Sequence, residues 1–480
     1  MNDLKNTEAG KEEKKNTGKM QKLEFRLGGV GRIIPICAAA VIILYAAFHQ
    51  SNVNGYVAAF FTAITVGVLF AKDGKAYGEA IVYGLSRPMF GVIVLAVILA
   101  AVSGKLIAGS GLIQTLAYYV INAGFSGKMF VAAVFIITCI LAFSTGTSVG
   151  SYFVVVPILF PVGVLAGISP EYLIGAIVSG AAFGDNLGPI SDTTIASSGT
   201  QKAELGGVVK SRTRYSIPAA TGALILFLIF TKTGNSIDSL SVNMELTPKL
   251  TSLFMLIIPV VIIVLCLMRK HLITALSYGI LSGIVVGLLT GIYSLGDIIA
   301  FSGGFTVTGL VLDGILGTAG TVMMLIAAFA LLGVMECSGL FEDVGRILLK
   351  HTGSARKAEG AIVLSVGILS MITGVISVAI VALGDIVREV GSKAGLDPYR
   401  RANLLDCTGC VFCFLAPWTV HCVIPAQLTV QFGEEFSVAP QAIPFVNFYS
   451  ICMLLILIIS IITGYGRTYN IEEIQSKSSK

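Results

Sequence analysis

The sequence alternates between long apolar stretches and short segments that carry charge. A helix needs roughly 20 mainly apolar residues to cross a bilayer, and several stretches reach that length without a single charged side chain. Long stretches without Asp, Glu, Lys or Arg include 33–71, 129–170, 215–231, 250–268, 314–335 and 436–466. The pattern predicts an all-α polytopic membrane protein.

Ten membrane-spanning helices can be placed along the chain. They cover residues 33–49, 56–71, 89–107, 171–198, 215–231, 251–268, 271–291, 314–335, 402–425 and 443–463. Two further apolar stretches, 129–166 and 359–387, are interrupted by small polar residues, which favours re-entrant hairpins over single crossings. The predicted fold therefore has about ten full spans plus two re-entrant hairpins with broken helices.

Composition supports this fold class and excludes others. Apolar residues make up 55% of the 480 residues and charged residues 12%, against about 25% charged in a typical soluble domain. A soluble fold would have too few polar residues to cover its surface. The net charge of +5 comes from basic residues scattered between apolar segments, so no nucleic-acid partner is predicted.

The distribution of Lys and Arg indicates the orientation in the membrane. With the N-terminus inside, all but four of the 32 Lys and Arg residues fall on the cytoplasmic side. The exceptions are Lys105, Lys128, Lys232 and Lys249. Residues 1–32 are rich in both charges and have no apolar core, which predicts a disordered cytoplasmic tail rather than a signal peptide. We therefore expect a multi-pass protein of the cell membrane with both termini in the cytoplasm.

An internal repeat relates the two halves of the chain. At an offset of 228 residues, positions 140–189 match the second half without gaps, including Gly146 with Gly374 and Pro189 with Pro417. Five predicted spans separate the two hairpins, and an odd number inverts the second copy, as in secondary transporters. The expected divisions are a cytoplasmic tail at 1–32, repeat one at 33–231, an outer linker at 232–250, repeat two at 251–463 and a cytoplasmic tail at 464–480.

The chemistry is concentrated where the predicted span 171–198 is interrupted by GDNLGPISDTT, residues 184–194. Proline and glycine disfavour a regular helix there, and backbone freed at membrane depth is tolerated where it lines a cavity. An acid inside the membrane is a functional candidate because burying its charge is costly. Asp185 is our first candidate for ion binding and Asp192 the second. Neutral oxygen ligands are predicted from Asn186, Ser191, Thr193 and Thr194.

The hairpin tips add candidate ligands unequally. The first hairpin carries FSTGTSVGS at 143–151, and its hydroxyl groups are the hard oxygen ligands that small cations prefer. The candidates there are Ser144, Thr145, Thr147 and Ser148. The second copy contributes Thr373, Ser377, Trp418 and Thr419. Cys413 and Val420 stand where the first copy has Asp185 and Asp192, so the binding charge is predicted to be asymmetric.

Two other titratable residues lie close to these motifs. Asp385 is expected to approach the cytoplasmic surface near Arg388 rather than to line the pathway. His421 follows the second break, and the sequence does not decide whether it faces the pathway.

The cysteines allow a second interpretation. Cys407, Cys410 and Cys413 follow a C-x2-C-x2-C spacing, and His421 or Cys422 would be the fourth ligand of a metal or cluster. Inside an apolar helix, cysteine is usually a small hydrophobic residue, so no transition metal or other cofactor is predicted. A membrane-embedded metal or redox enzyme stays a remote alternative. No phosphate-binding loop and no H-E-x-x-H motif occurs, which indicates transport driven by an ion gradient rather than an enzyme.

At the helix breaks and the first hairpin tip, the chain resembles the NhaC family of Na⁺/H⁺ antiporters, within a wider group of inverted-repeat carriers. The resemblance is carried by GDNLGPISDTT at 184–194, FSTGTSVGS at 143–151 and APWT at 416–419. It implies Na⁺ and H⁺ as the transported ions. The family also includes exchangers of Na⁺-lactate and malate, so the resemblance leaves the cargo open.

One carboxylate that holds either H⁺ or Na⁺ couples the two fluxes. Burial disfavours the charged form of an aspartate, whereas a bound cation favours it. We therefore predict a secondary active transporter that exchanges Na⁺ for H⁺ by alternating access. The alternative is a Na⁺- or H⁺-coupled exchanger of small organic anions or amino acids. The expected partners are the lipid bilayer and the transported solute; a homodimer agrees with the fold class, although no residue indicates one.

Overall fold

The computed structural model describes residues 22–48, 53–124, 127–233, 248–268, 270–302, 306–348 and 354–469. The first half contains α1 Gly29–Phe48, α2 Val53–Phe70, α3 Gly74–Leu85, α4 Pro88–Gly109, α5 Leu112–Asn122, α6 Gly127–Thr145, α7 Ser148–Leu165, α8 Pro170–Leu187, α9 Asp192–Gln201 and α10 Leu205–Phe230. The second half contains α11 Ile257–Leu267, α12 Leu272–Leu289, α13 Leu295–Ile298, β1 Ala300–Ser302, β2 Thr306–Thr308, α14 Leu310–Leu316, α15 Ala319–Cys337, α16 Leu340–Leu348, α17 Ala355–Thr373, α18 Ile376–Lys393, α19 Pro398–Leu415, α20 Val420–Val430, α21 Ile443–Val446 and α22 Phe448–Thr463. Most of both predicted tails, 1–21 and 470–480, lies outside the described residues, as does 234–247 of the predicted linker.

Eight of the described helical segments are long and apolar enough to cross a membrane, and up to ten if each bent pair counts as one span. The eight are Pro88–Gly109, Gly127–Thr145, Ser148–Leu165, Pro170–Gln201, Leu205–Phe230, Leu250–Leu267, Leu272–Leu289 and Leu310–Cys337. The bent pairs are Pro398–Leu415 with Val420–Val430, and Pro440–Val446 with Phe448–Thr463. The predicted all-α membrane fold is confirmed. One difference is that both arms of the first hairpin, α6 and α7, are long enough to span by themselves. Another is that the apolar helices at the predicted spans 33–49 and 56–71, Gly29–Ile43 and Asn54–Phe70, are too short among the described residues to count as candidate spans.

The helix bounds repeat along the chain at the predicted offset. The helices α17, α18 and α19 begin and end 228 positions after α6, α7 and α8, and α20 begins 228 positions after α9. Gly146 and Gly374, between the two arms of each hairpin, both have positive φ, at 68° and 66°. Because a left-handed backbone favours glycine, both copies turn at the same point. Five of the candidate spans lie between the two hairpins, an odd number that agrees with the predicted inverted orientation of the second copy.

Each hairpin is fastened to a long helix of its own half by an equivalent contact. Lys128 Nζ, at the start of α6, donates to the Ile229 carbonyl at 3.1 Å. Arg356 Nη2, 228 positions later, donates to the Ile462 carbonyl. The two copies therefore share side-chain anchoring as well as helix bounds.

Several segments differ from the sequence-based expectation. The sequence predicts only connecting segments where the structure has helices α3, α5 and α16. These helices have 12, 11 and 9 residues, so they are too short to cross a membrane. In the predicted N-terminal tail, Leu23 and Phe25 are buried, and Phe25 forms a bridge with Ala71. Apolar side chains thus tie the end of this tail to the helices that follow.

The positions of three arginines correct the loop assignment. Arg212, Arg400 and Arg401 were counted among the charges of cytoplasmic loops, but all three are buried inside α10 and α19. The reason is helix length: α10 begins at Leu205 and α19 at Pro398, several residues before the apolar pattern starts.

Candidate functional site

The break between α8 and α9, residues 188–191, lies against the tip of the first hairpin. A Cβ on Gly146 would lie 2.8 Å from the carbonyl carbon of Ile190. A Cβ on Gly184 would lie 2.2 Å from the Cβ of Ala142. Glycine at both positions therefore allows the hairpin to approach the broken helix without an intervening side chain.

Asp185, in the last turn of α8, is 4% exposed. Its Oδ2 accepts a hydrogen bond from the Ser148 hydroxyl at 2.9 Å, and its Oδ1 accepts one from the Ser191 hydroxyl at 2.6 Å. The Thr193 hydroxyl lies 2.9 Å from that of Ser191 and donates to the Asp185 carbonyl at 3.3 Å. His421 Nδ1 lies 3.3 Å from the Ser148 hydroxyl. Among the described residues, no Lys or Arg forms an ion pair with Asp185.

A cavity of about 60 Å³, which we call the Asp185 cavity, adjoins this carboxylate. Its lining consists of Met89, Ile93, Thr147, Ser148, Val149, Asp185, Asp192, Thr193, Val375, Ile376, Ser377, Val420 and His421. Asp192 is exposed, and the Ser377 side chain is its hydrogen-bond partner. Since a single water needs roughly 15 Å³, the cavity has room for a small cation with a few waters.

Four helices begin at residues that line the Asp185 cavity. Their first residues are Ser148 of α7, Asp192 of α9, Ile376 of α18 and Val420 of α20. Helix N-termini carry partial positive charge, which stabilises carboxylates without supplying a fixed counter-ion. The arrangement suits a site in which two acids accept and release a mobile cation.

A second polar network lies on the other side of the broken helix. Arg212 and Asp406 are both fully buried and form an ion pair, with Nη1 of the arginine 2.9 Å from Oδ2 of the aspartate. Asn186 Nδ2 donates to Asp406 Oδ1 at 3.0 Å, and the Ser197 hydroxyl donates to Oδ2 at 3.2 Å. Thr194 Oγ1 accepts from Arg212 Nη1 at 2.9 Å. The predicted ligands Asn186 and Thr194 therefore belong to this ion-pair network and do not line the Asp185 cavity.

The sequence contained a signal for this network that our prediction did not use. Asp406 falls inside the predicted span 402–425, and an acid inside a span calls for a partner. Arg212, assigned to a loop, was the missing partner. The two residues lie far apart along the chain, so only the packing of α10 against α19 pairs them.

The other predicted ligands are distributed as follows. The Ser144 and Thr145 hydroxyls donate to carbonyls of their own helix, those of Ile140 at 2.7 Å and Leu141 at 2.9 Å. Thr147 and Ser148 line the Asp185 cavity, as do Ser377 of the second copy and Asp192 and Thr193 of the break. Thr373, Trp418 and Thr419 line a separate, mainly apolar cavity, which we call the Trp418 cavity.

Asp385 and His421 are also located. The Asp385 side chain is 84% exposed and lies 2.7 Å from Arg388 Nη2, at the surface as expected. His421 is buried, lines the Asp185 cavity and stacks on Phe414, with ring centroids 4.0 Å apart. Sequence reasoning had not assigned it, because a histidine among apolar neighbours gives no sign of the face it occupies.

The cysteines of the C-x2-C-x2-C segment are buried in α19. Cys410 Sγ lies 3.5 Å from Asp406 Oδ1, and Cys407 Sγ lies 3.6 Å from Asn186 Nδ2. Within the described part of the chain, no three His, Cys, Asp or Glu residues are grouped in a way that would hold a metal ion. The sulfur atoms of Cys407 and Cys410 instead pack against the Arg212–Asp406 network.

Comparison with known proteins identifies relatives over most of the chain. The sequence profile of the Na⁺/H⁺ antiporter family matches residues 28–232 and 215–462. The chain is 28% identical over 376 residues to the malate-2H⁺/Na⁺-lactate antiporter of Bacillus subtilis, covering 75% of this chain and 80% of that protein. It is 25% identical to the Na⁺/H⁺ antiporter NhaC of Alkalihalophilus pseudofirmus, covering 65% and 70%, and 25% identical to NhaC of Bacillus subtilis, covering 73% and 80%. The chain therefore belongs to the Na⁺/H⁺ antiporter family and is a secondary active antiporter.

Proposed function

We propose that this antiporter exchanges Na⁺ for H⁺ at Asp185, which holds one cation or the other but never both. The observation that carries the proposal is the surroundings of Asp185: the carboxylate is buried, hydroxyl groups are its hydrogen-bond donors, and no fixed cation pairs with it among the described residues. A buried carboxylate in this position needs a mobile positive charge, because leaving it ionised and unpaired is costly.

The proposed ligand set follows from the groups around the cavity. After the proton leaves, Asp185 offers a carboxylate oxygen, while Ser148, Ser191 and Thr193 offer hydroxyl oxygens within hydrogen-bond distance of it or of one another. These are hard oxygen donors of the kind that small cations take. Asp192 supplies a second acid across the same cavity.

The hairpin tip and the break would move together during transport. In our proposal both termini face the cytoplasm, so the first hairpin reaches the site from outside and the second from inside. Alternating access then requires the hairpin-bearing helices to move against the remaining spans while Asp185 keeps its ligands. Because the tip contacts the break directly at Gly146, motion of either element changes access to the carboxylate.

Replacement of Asp185 tests the proposal. In proteoliposomes with an internal pH dye, Asp185→Asn should reduce Na⁺-driven proton movement by at least about 100-fold, equivalent to roughly 2.7 kcal/mol. The amide cannot release a proton to make room for the cation. Asp385→Asn, at an exposed aspartate paired with Arg388, is the matched control and should retain wild-type exchange. Wild-type exchange in Asp185→Asn would remove Asp185 from the mechanism.

A second candidate function is the exchange of small organic anions, as in the malate and lactate antiporter named above. The observation that favours it is Lys105, a cation inside the candidate span Pro88–Gly109 that has no ion-pair or hydrogen-bond partner among the described residues. A positive charge inside a membrane span attracts an anionic solute and repels Na⁺.

A further inference from the structure

Equivalent segments of the two copies of the repeat line the Asp185 cavity. Its lining residues 147–149 and 192–193 in the first copy stand 228 positions before its lining residues 375–377 and 420–421 in the second. The tips of both hairpins and the first turns of α9 and α20 therefore meet at one cavity. Thr193 and His421 form one of these equivalent pairs, and both side chains are buried.

Thr193 and His421 contact the two serines that donate hydrogen bonds to Asp185. The Ser191 hydroxyl donates to Oδ1 of the aspartate at 2.6 Å, and Thr193 Oγ1 lies 2.9 Å from that hydroxyl oxygen. The Ser148 hydroxyl donates to Oδ2 at 2.9 Å, and His421 Nδ1 lies 3.3 Å from the Ser148 oxygen. Each carboxylate oxygen thus has one serine donor, and each of these serines contacts one member of the equivalent pair.

The hydrogen bonds of Ser148 determine which role His421 takes in this contact. A serine hydroxyl has one proton and two lone pairs. The Ser148 proton is used in the bond to Asp185, so His421 Nδ1 forms a hydrogen bond with Ser148 only by carrying a proton and donating it. A neutral imidazole with its proton on Nδ1 meets this requirement. Ser148 then keeps one lone pair for a cation in the cavity that it lines.

Packing holds the His421 ring in the orientation of this contact. The side chain is 5% exposed, and its ring stacks on that of Phe414 with centroids 4.0 Å apart and an interplanar angle of 21°. A buried ring that turned out of this arrangement would lose its stacking contact. The Nδ1 donor is therefore directed at Ser148 before any cation binds.

We propose that His421 is a positioning residue for Na⁺ binding, which donates from Nδ1 to Ser148 and keeps that hydroxyl oriented between Asp185 and the cation. This inference rests on the proposed exchange at Asp185 and adds to it a residue of the second copy that acts through Ser148. A binding site depends on neighbouring hydrogen bonds that hold its ligands in place. Without the Nδ1 donor, Na⁺ would have to order the Ser148 hydroxyl on binding, and this ordering lowers the affinity.

Equilibrium binding of radioactive Na⁺ to the purified full-length protein tests the proposal, at alkaline pH so that protons compete little for Asp185. His421→Phe keeps a ring against Phe414 but removes the donor. It should raise the Kd for Na⁺ by about fivefold, equivalent to about 1 kcal/mol, and should leave the amount of Na⁺ bound at saturation unchanged. Unchanged saturation shows that the protein is folded, so the two readouts separate affinity from folding.

Two further substitutions at this position test the donor itself. His421→Asn places an amide N–H close to the position of the Nδ1–H, and should bind Na⁺ within about twofold of the wild type. The amide of His421→Gln lies one carbon farther from the backbone, so this variant should be as weak as His421→Phe. It takes the place of His421→Phe if that protein does not fold.

A double variant separates an effect through Ser148 from a general effect on packing. Ser148→Ala has no hydroxyl for His421 to orient, so adding His421→Phe to it should change the Kd by less than about twofold. The matched control is His271→Phe. This exposed histidine precedes α12, accepts a hydrogen bond from the Ile273 amide at 3.3 Å and does not line the Asp185 cavity, so its replacement should leave Na⁺ binding unchanged.

Three results would overturn the inference: His421→Phe binds Na⁺ as tightly as the wild type, His421→Asn is as weak as His421→Phe, or the loss caused by His421→Phe persists without the Ser148 hydroxyl. A wild type without saturable Na⁺ binding would overturn it together with the proposed cation site. The proposed exchange fails by a different measurement. A wild type that binds Na⁺ but moves no protons in proteoliposomes would contradict exchange at Asp185, while the comparison of the His421 variants would stand.

Discussion

Asp185 and Asp406 are two buried aspartates in one helix bundle, and their surroundings are opposite. Asp406 pairs with Arg212 and accepts hydrogen bonds from Asn186 and Ser197. Asp185 accepts hydrogen bonds from serine hydroxyls and has no fixed cation among the described residues. A permanent counter-charge balances the charge of one buried acid, whereas the acid without it must obtain a proton or a metal ion. Burial alone therefore does not distinguish the two acids; the missing counter-charge is what sets apart Asp185, the proposed exchange site.

The two copies of the repeat also differ in the polar groups around their helix breaks. The first copy surrounds its break with two acids and several hydroxyl groups. At the second break, Thr373, Trp418 and Thr419 line the mainly apolar Trp418 cavity. The Thr419 hydroxyl donates to the Cys413 carbonyl at 2.7 Å, and Trp418 Nε1 donates to the Met371 carbonyl at 2.7 Å. Equivalent backbones thus carry the proposed ion site in one copy and polar groups bonded to nearby carbonyls in the other.

The largest effect is expected from removing the counter-charge of Asp406. Arg212→Met leaves a fully buried carboxylate unpaired, which costs about 3–5 kcal/mol of stability. The thermal midpoint of the purified protein in detergent should fall accordingly. The double variant Arg212→Met/Asp406→Asn should recover a large part of the loss, because no unpaired charge remains.

Lys393→Met provides the control for this comparison. It breaks the exposed pair between Lys393 and Glu389, whose side chains are 69% and 64% exposed, and should leave the midpoint unchanged. An Arg212→Met protein as stable as the wild type would mean that Asp406 is neutralised by some other group.

A smaller effect is expected from the stabilisation of the protein by Na⁺, which should depend on Asp185. A ligand that binds only the folded protein at 100 times its dissociation constant stabilises it by about 2.7 kcal/mol. Na⁺ should therefore raise the thermal midpoint of the wild type and not that of Asp185→Asn. Because H⁺ competes for the same carboxylate, the Na⁺ concentration needed for a given shift should rise as the pH falls, by up to about tenfold per pH unit. Equal stabilisation of both proteins by Na⁺ would contradict a cation site at Asp185.

The smallest effect is expected at the equivalent position of the second copy. Cys413→Ser replaces the residue that stands where the first copy has Asp185, and Cys413 does not line the Asp185 cavity. Na⁺-driven proton movement should stay within about twofold of the wild type. The substitution exchanges one neutral side chain for another, and the position lies outside the proposed exchange site. A loss comparable to that of Asp185→Asn would show that the two copies contribute equally.

Much of the arrangement was predictable because it is local in the chain. Most of the apolar spans, the break at 184–194 and the offset of the repeat follow from hydropathy and from the positions of glycine and proline. Asp185 could be selected for its place in the break. Which of the neighbouring residues face Asp185 could not be predicted. Asp185 and Asn186 are adjacent, but successive helix residues point about 100° apart. Asn186 therefore meets Asp406, while Asp185 faces the hairpin.

The amino-acid sequence by itself determined the membrane fold, the duplicated elements and the interrupted helix, because hydrophobic length and backbone-breaking residues act within one segment. Only the tertiary structure decided which acid has a counter-charge. Arg212 and Asp406 are separated by almost two hundred positions and meet through the packing of α10 against α19. The charge balance of a buried group depends on the charged residues of all the helices around it, and these residues come from distant parts of the sequence.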